Sequence, residues 1–202
     1  MKQMLTAFTA LAVIAAPVSA AAVVGRPAPN FTLPDVNGKA VSLSAFRGKT
    51  VVLEWNNPEC PFVRKHYGSG NMQKTQAAAA SDGVVWLTIN SGAPGKQGHM
   101  SAAEAKAQVA KEKSVVTAYL LDPSGTVGKR YGAKTTPHMY VIGKTGTVLY
   151  NGGIDDRPTP SKGDIERANN LVLAALSDVK AGKAVATPSS RPYGCAVKYS
   201  DS

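Results

Sequence analysis

The chain has 202 residues, 44% of them hydrophobic and 18% charged, which is the balance of one globular domain and excludes a disordered or fibrous chain. Its formal net charge is +10, but the Lys and Arg residues are scattered, with neither a basic block nor basic–aromatic interleaving. That excludes a nucleic-acid-binding pattern and leaves a basic field that weakly favours anionic partners.

Residues 1–20 read as a secretory signal peptide. Lys2 supplies a charged start, Leu5 to Ala16 an apolar run, and Val18-Ser19-Ala20 a small-x-small cleavage end. An uncleaved membrane anchor is the alternative, but Thr6, Thr9, Pro17 and Ser19 make a poor span. This reading places the mature protein in the periplasm or outside the cell, with no stable membrane insertion. Residues 23–181 are then the folded domain, and 182–202 a loop-rich tail that carries Cys195.

From Ala22 to Pro34 the segment is extended and proline-rich. Asn37-Gly38 predicts a type I′ hairpin turn into a short strand at Val41–Leu43. The apolar run Val51-Val52-Leu53 predicts a buried strand over residues 49–55, ended by the turn residues Asn56-Asn57-Pro58. Cys60 is followed by Pro61, a favoured first helical residue. Its sulfur then sits at the positive end of a helix dipole, where the reactive thiolate is favoured. Arg64 and Lys65 add positive charge if they face the sulfur; the plain alternative is an inert buried cysteine.

The helix is expected over residues 61–67, interrupted by Gly68-Ser69-Gly70 and resumed over 71–80. Val84–Asn90 has the composition of a central parallel strand. Ser101 and Glu104 form a capping box that opens a helix to Lys113. Val115–Leu121 is a further strand, and Asp122-Pro123-Ser124-Gly125 turns into a short helix that ends at Tyr131-Gly132. Met139–Ile142 and Thr147–Asn151 flank a hairpin turn, and the three- and four-residue apolar spacing of Asp164–Lys180 predicts one helix. The fold class is α/β.

Glu54 lies inside an apolar strand. Strand alternation could turn it to solvent; burial would instead raise its pKa and suit it to exchange protons with a thiol. Pro137 precedes an apolar run and fits the first residue of a strand, and His138 beside it reads as structural. Cys60 and Cys195 are the two cysteines, and after export an even count is expected to pair.

The stretch Val51–Tyr67 resembles the active-site turn of thioredoxin-like proteins, where a strand ends in W-C-x-x-C and a helix begins. The resemblance covers roughly Gly25–Ala181 and is closest to the redoxin branch, the alkyl hydroperoxide reductase and thiol-specific antioxidant group. Gly25-Arg26-Pro27-Ala28-Pro29-Asn30-Phe31 matches the lead-in G-x-x-A-P-x-F, and the short strands match an added N-terminal hairpin. Cys60 falls on the nucleophilic cysteine and Val63 on the second, so the resolving cysteine three residues on is missing. Glu54, six residues before Cys60, matches a buried carboxylate that shuttles protons, and Thr135-Thr136-Pro137-His138 resembles the cis-proline loop. Leu53 and Asn57 stand where a typical peroxiredoxin carries Pro and Thr.

The resemblance implies a thioredoxin-like fold with a central mixed sheet, helices on both faces, an N-terminal hairpin and a C-terminal tail. It implies a cofactor-free thiol oxidoreductase that attacks a protein or small-molecule disulfide, or a peroxide, and is re-reduced by an external thiol. Cys60 and Glu54 are then catalytic, Cys195 resolves, and Trp55, Pro61, Thr136 and Pro137 line the substrate position. Two alternatives stay open: copper delivery through the thiolates and one of His66, His99 and His138, or a redox-inactive scaffold braced by a permanent Cys60–Cys195 disulfide.

Overall fold

Two short strands, β1 (Thr32–Pro34) and β2 (Ala40–Ser42), form the N-terminal hairpin. They belong to a computed structural model that describes residues 21–201; the expected signal peptide, residues 1–20, lies outside them. The hairpin turn is not the expected type I′. Its connection spans Asp35 to Lys39, and only Gly38 is left-handed (φ 79°). The carboxylate of Asp35 accepts from the amides of Asn37 and Lys39, both at 2.8 Å, and this local bonding holds Asn37 on the right-handed side.

After a 3-10 turn at Leu43–Phe46 comes β3 (Val51–Trp55), buried along its whole length. Helices α1 (Pro61–Gly68) and α2 (Asn71–Ser81) follow, broken as the glycines predict, then β4 (Val85–Asn90). Helix α3 (Ala102–Glu112) opens with the expected capping box: Ser101 Oγ accepts from the Glu104 amide while Glu104 accepts from the Ser101 amide. Next come β5 (Ala118–Leu121), α4 (Thr126–Tyr131), β6 (Thr135–Thr136), β7 (His138–Ile142) and β8 (Val148–Gly152).

The single helix expected over 164–180 is two pieces. A 3-10 segment, Lys162–Arg167, ends before α5 (Leu171–Lys180). Asn170 caps α5 by accepting from the Leu173 amide at 2.9 Å, and the Leu171 amide donates to the Ile154 carbonyl. These bonds draw the backbone out of helical geometry where the apolar period alone would continue it.

Among the described residues the main sheet has the order β5-β4-β3-β7-β8, with β3, β4 and β5 parallel and β7 and β8 antiparallel. Parallel strands need both faces covered. Leu53, Trp55, Leu87 and Tyr140 pack on one face beneath the N-terminal segment, the hairpin and α4. Val52, Trp86, Met139 and Val141 pack on the other against α1, α2 and α5. This is the expected mixed sheet with helices on both faces.

The tail is not an appendage. Residues Cys195–Ala196 form β9, which pairs antiparallel with β6, Thr136 opposite Cys195 and Thr135 opposite Ala196. Tyr193 and Val197 on either side of it are buried in the domain. Among the described residues no helix is long and apolar enough to cross a membrane.

Candidate active site

Strand β3 delivers the chain to the turn that carries Cys60. Asn57 shapes the turn: its side-chain oxygen accepts from the Glu59 amide at 2.9 Å and its carbonyl from the Cys60 amide at 3.0 Å. Cys60 is the N-cap of α1 (φ −68°, ψ 125°), its carbonyl accepts from the Arg64 amide, and Pro61 is the first helical residue. The sulfur therefore sits at the helix start, as expected, but it is fully buried. Neither expected cation faces it. Arg64 Nε donates back to the Pro58 carbonyl at 2.9 Å, and Lys65 is buried with its ammonium on the Arg157 carbonyl at 2.7 Å.

Two backbone groups meet the sulfur instead. The Cys60 thiol donates to the Thr136 carbonyl at 3.0 Å, and the Cys195 amide donates to the sulfur at 3.4 Å. The Thr136–Pro137 peptide bond is cis. Strand pairing of β9 on β6 is what brings the tail cysteine here across 135 residues. Both cysteines are free thiols, Cys60 buried and Cys195 partly exposed. Burial by itself pushes the Cys60 thiol up. Hydrogen bonds from the side chain and amide of Cys195, from the Thr136 side chain and from the Val63 amide outweigh that and hold it below its ordinary value. Burial and the neighbouring Cys60 sulfur both push Cys195 up. Cys60 is thus the sulfur that ionises first, and Cys195 the one that keeps its proton.

Glu54 faces the Cys60 side of the sheet and is fully buried, so the solvent-facing alternative does not hold. It accepts from Trp86 Nε1 and Tyr67 Oη at 2.9 Å, Asn56 Nδ2 at 3.0 Å, Thr88 Oγ1 at 3.2 Å and Gln76 Nε2 at 3.4 Å. Burial raises its pKa and these donors oppose the rise. Cys60 is not among its partners, so the expected direct proton exchange has no hydrogen bond to run through. Asn56 and Tyr67 lie on either side of Cys60 in sequence, and Glu54 ties both down.

Trp55, expected at the substrate position, is instead buried on the opposite face, stacked near Tyr131 and Tyr140 with its indole donating to Ser91 Oγ. Pro61 is exposed beside the thiol, while Thr136 is buried with its edge occupied by β9.

The three histidines are held elsewhere. His138 Nε2 donates to Asn151 Oδ1 at 2.7 Å and its Nδ1 accepts from the Lys134 amide at 3.2 Å, a structural role. His99 Nδ1 lies 2.8 Å from the Gly92 carbonyl, and His66 bonds Tyr193 and Asn71. Among the described residues no group of three or more His, Cys, Asp or Glu is placed to hold a metal ion.

Arg191-Pro192-Tyr193-Gly194 reads in the sequence as a stiff and then a flexible turn that presents Cys195, but sequence reasoning misses Asp155 and the seat it gives Tyr193.

The ResA proteins of Bacillus thuringiensis and Bacillus cereus, named thiol-disulfide oxidoreductases, are 23% identical over 133 residues, covering 62% of this chain and 67% of theirs. A hypothetical protein of Sinorhizobium meliloti shares 26% identity at a TM-score of 0.77, covering 89% of this chain and 96% of its own. A Chlorobium tepidum structure named for the thiol:disulfide interchange protein DsbE shares 27% identity at a TM-score of 0.56, with 76% and 98% covered. The model of the AhpC/TSA family matches residues 24–151, the segment that holds Cys60, Glu54 and the cis-proline loop. The chain is thus a thiol-based oxidoreductase of thioredoxin-like, redoxin type, and it belongs to the AhpC/TSA family.

Proposed function

We propose that this is an exported two-cysteine oxidoreductase in which Cys60 attacks a disulfide or peroxide and Cys195 resolves the product. The observation that carries the reading is the Cys195 amide on the Cys60 sulfur at 3.4 Å, with the two side chains hydrogen-bonded. With a peroxide, the Cys60 thiolate takes one oxygen as sulfenic acid and the other leaves as water or an alcohol. The Cys195 thiolate then attacks the Cys60 sulfur and expels water, closing a disulfide. With a disulfide, Cys60 displaces one substrate thiolate and Cys195 displaces the second. Either way two protein thiols are oxidised, and an external dithiol returns the pair to its reduced form.

Thr136 positions the thiol through its carbonyl, with Pro137 holding that loop and Pro61 the helix start. Glu54 acts by bracing Asn56 and Tyr67. Export rests on residues 1–20, and intact mass of the envelope fraction checks it: cleavage near Ala21 is expected, and retained Met1 contradicts it. For the chemistry, reduced protein is mixed in a stopped-flow instrument with hydrogen peroxide, then with a model disulfide. A fast Cys60-dependent phase followed by a Cys195-dependent one is expected. No oxidation of Cys60 by either reagent would sink the reading.

A further inference from the structure

Beside the thiol pair lies a buried polar cluster that the chemistry above does not use. Lys65, His66 and Asp155 are almost wholly inaccessible, and Tyr193 is 8% exposed. Lys65 and His66 stand on α1, on the turn after Cys60; Asp155 follows β8; Tyr193 comes from the tail, two residues before Cys195. The Tyr193 hydroxyl donates to Asp155 Oδ1, and His66 Nε2 lies 3.1 Å from it. Asn71 Nδ2 donates to His66 Nδ1 at 2.8 Å, which puts the ring hydrogen on Nε2, facing Tyr193. Lys65 Nζ is 3.5 Å from Asp155 Oδ2 and 5.6 Å from the centre of the Tyr193 ring. A buried carboxylate is costly unless paired and hydrogen-bonded, and Tyr193 supplies one of those bonds.

Between this anchor and Cys195 the chain passes over Thr136. Gly194 has φ +129°, and a Cβ there would stand 2.0 Å from the Thr136 carbonyl oxygen. The edge of Thr136 that pairs in this structure is thereby taken by the tail itself, with Cys60 sealed beneath.

We propose that Tyr193 is a positioning residue: seated among Lys65, His66 and Asp155, it clamps the tail across the Thr136 edge, so that Cys60 exchanges with Cys195 in preference to a sulfur of another polypeptide. The proposal rests on the oxidoreductase reading above. An extended polypeptide docks on a sheet edge through its backbone, and one edge pairs with one strand. A polypeptide disulfide must therefore lift residues 194–196, which pulls Tyr193 out of the cluster and leaves Asp155 short of a donor. While the clamp holds, Cys195 is presented to Cys60 at the high effective concentration of an intramolecular group.

The test uses the reduced full-length protein and Tyr193→Phe, with two readouts. The first is the labelling rate of Cys60 by iodoacetamide and by a synthetic peptide disulfide, read by peptide mass. The second is the equilibrium of the Cys60–Cys195 disulfide against dithiothreitol. Loss of the hydroxyl is expected to raise labelling about tenfold and to shift the equilibrium about tenfold towards the dithiol. Gly194→Ala, which crowds the Thr136 carbonyl without touching the cluster, should move both readouts the same way. Ile142→Val, a core change on the far face, should move neither, which separates the clamp from general stability. Parent values in both tail variants would overturn the clamp while leaving the oxidoreductase reading in place. Raised labelling in a protein whose parent never forms the disulfide would overturn the preference for Cys195 together with that reading.

Discussion

The thiol of Cys60 donates to the main-chain carbonyl of Thr136 at 3.0 Å. That bond suits the protonated sulfur, and the Cys195 amide at 3.4 Å suits the thiolate. Ionisation of Cys60 therefore exchanges a bond with the cis-proline loop for one with the tail, and it is the tail that favours the reactive form.

Titration of Cys60 should follow from this. Its thiol is expected to ionise below the ordinary value, and Cys195→Ala should raise its pKa by removing the side-chain bond that lowers it most. Ultraviolet thiolate absorbance against pH measures both. A Cys60 pKa that is unchanged in Cys195→Ala would show that the tail does not tune the thiol.

Oxidation should stabilise the protein. Closing a loop of 135 residues restricts the unfolded chain by about 5 kcal/mol in the chain-entropy model, less any strain. Denaturant midpoints of oxidised and reduced protein give the difference. Mild dithiols should reopen the bond without unfolding the domain, because Cys195 is partly exposed; reduction that requires denaturant would point to a permanent brace.

Glu54→Gln should cost about 1–3 kcal/mol of stability. The carboxylate gathers five side-chain donors, and an amide would turn an NH₂ group towards some of them. Chemical unfolding measures the loss, and an unchanged midpoint would show that the donors find other partners.

Acid should weaken the fold through its buried histidines. Burial lowers His66 and His138 to about 4, against 6.5 for a free imidazole. The unfolded chain therefore binds protons that the folded one refuses. Their contribution is fully present above pH 6.5 and is lost as pH falls towards 4. Glu112, pushed up to about 7 by burial, acts in the opposite sense, so the comparison is with a variant. In His138→Asn the slope of stability against pH over that range should fall by up to about 1.4 kcal/mol per unit.

Ser101→Ala should cost about 1 kcal/mol, because it removes one half of the capping box of α3. Equilibrium unfolding checks it, and the thiol chemistry should be unaffected.

Features whose signals span a few residues are legible in the chain alone. Pro61 behind Cys60 marks the start of α1, Gly68-Ser69-Gly70 its break, and Ser101 with Glu104 the start of α3. Even here local bonding could win over pattern. Asp35 reshaped the turn at Asn37-Gly38, and Asn170 ended a helical period that the apolar spacing would have continued. Which face of β3 buries Glu54 and which buries Trp55 is set by long-range packing, since every residue of that strand is enclosed and alternation names two faces without saying what covers each. Long-range packing also returns the tail to the thiol. His66 meets Tyr193 across 127 residues and Cys195 meets Cys60 across 135, contacts made by strand pairing and a buried charge cluster that leave no periodic trace in the chain.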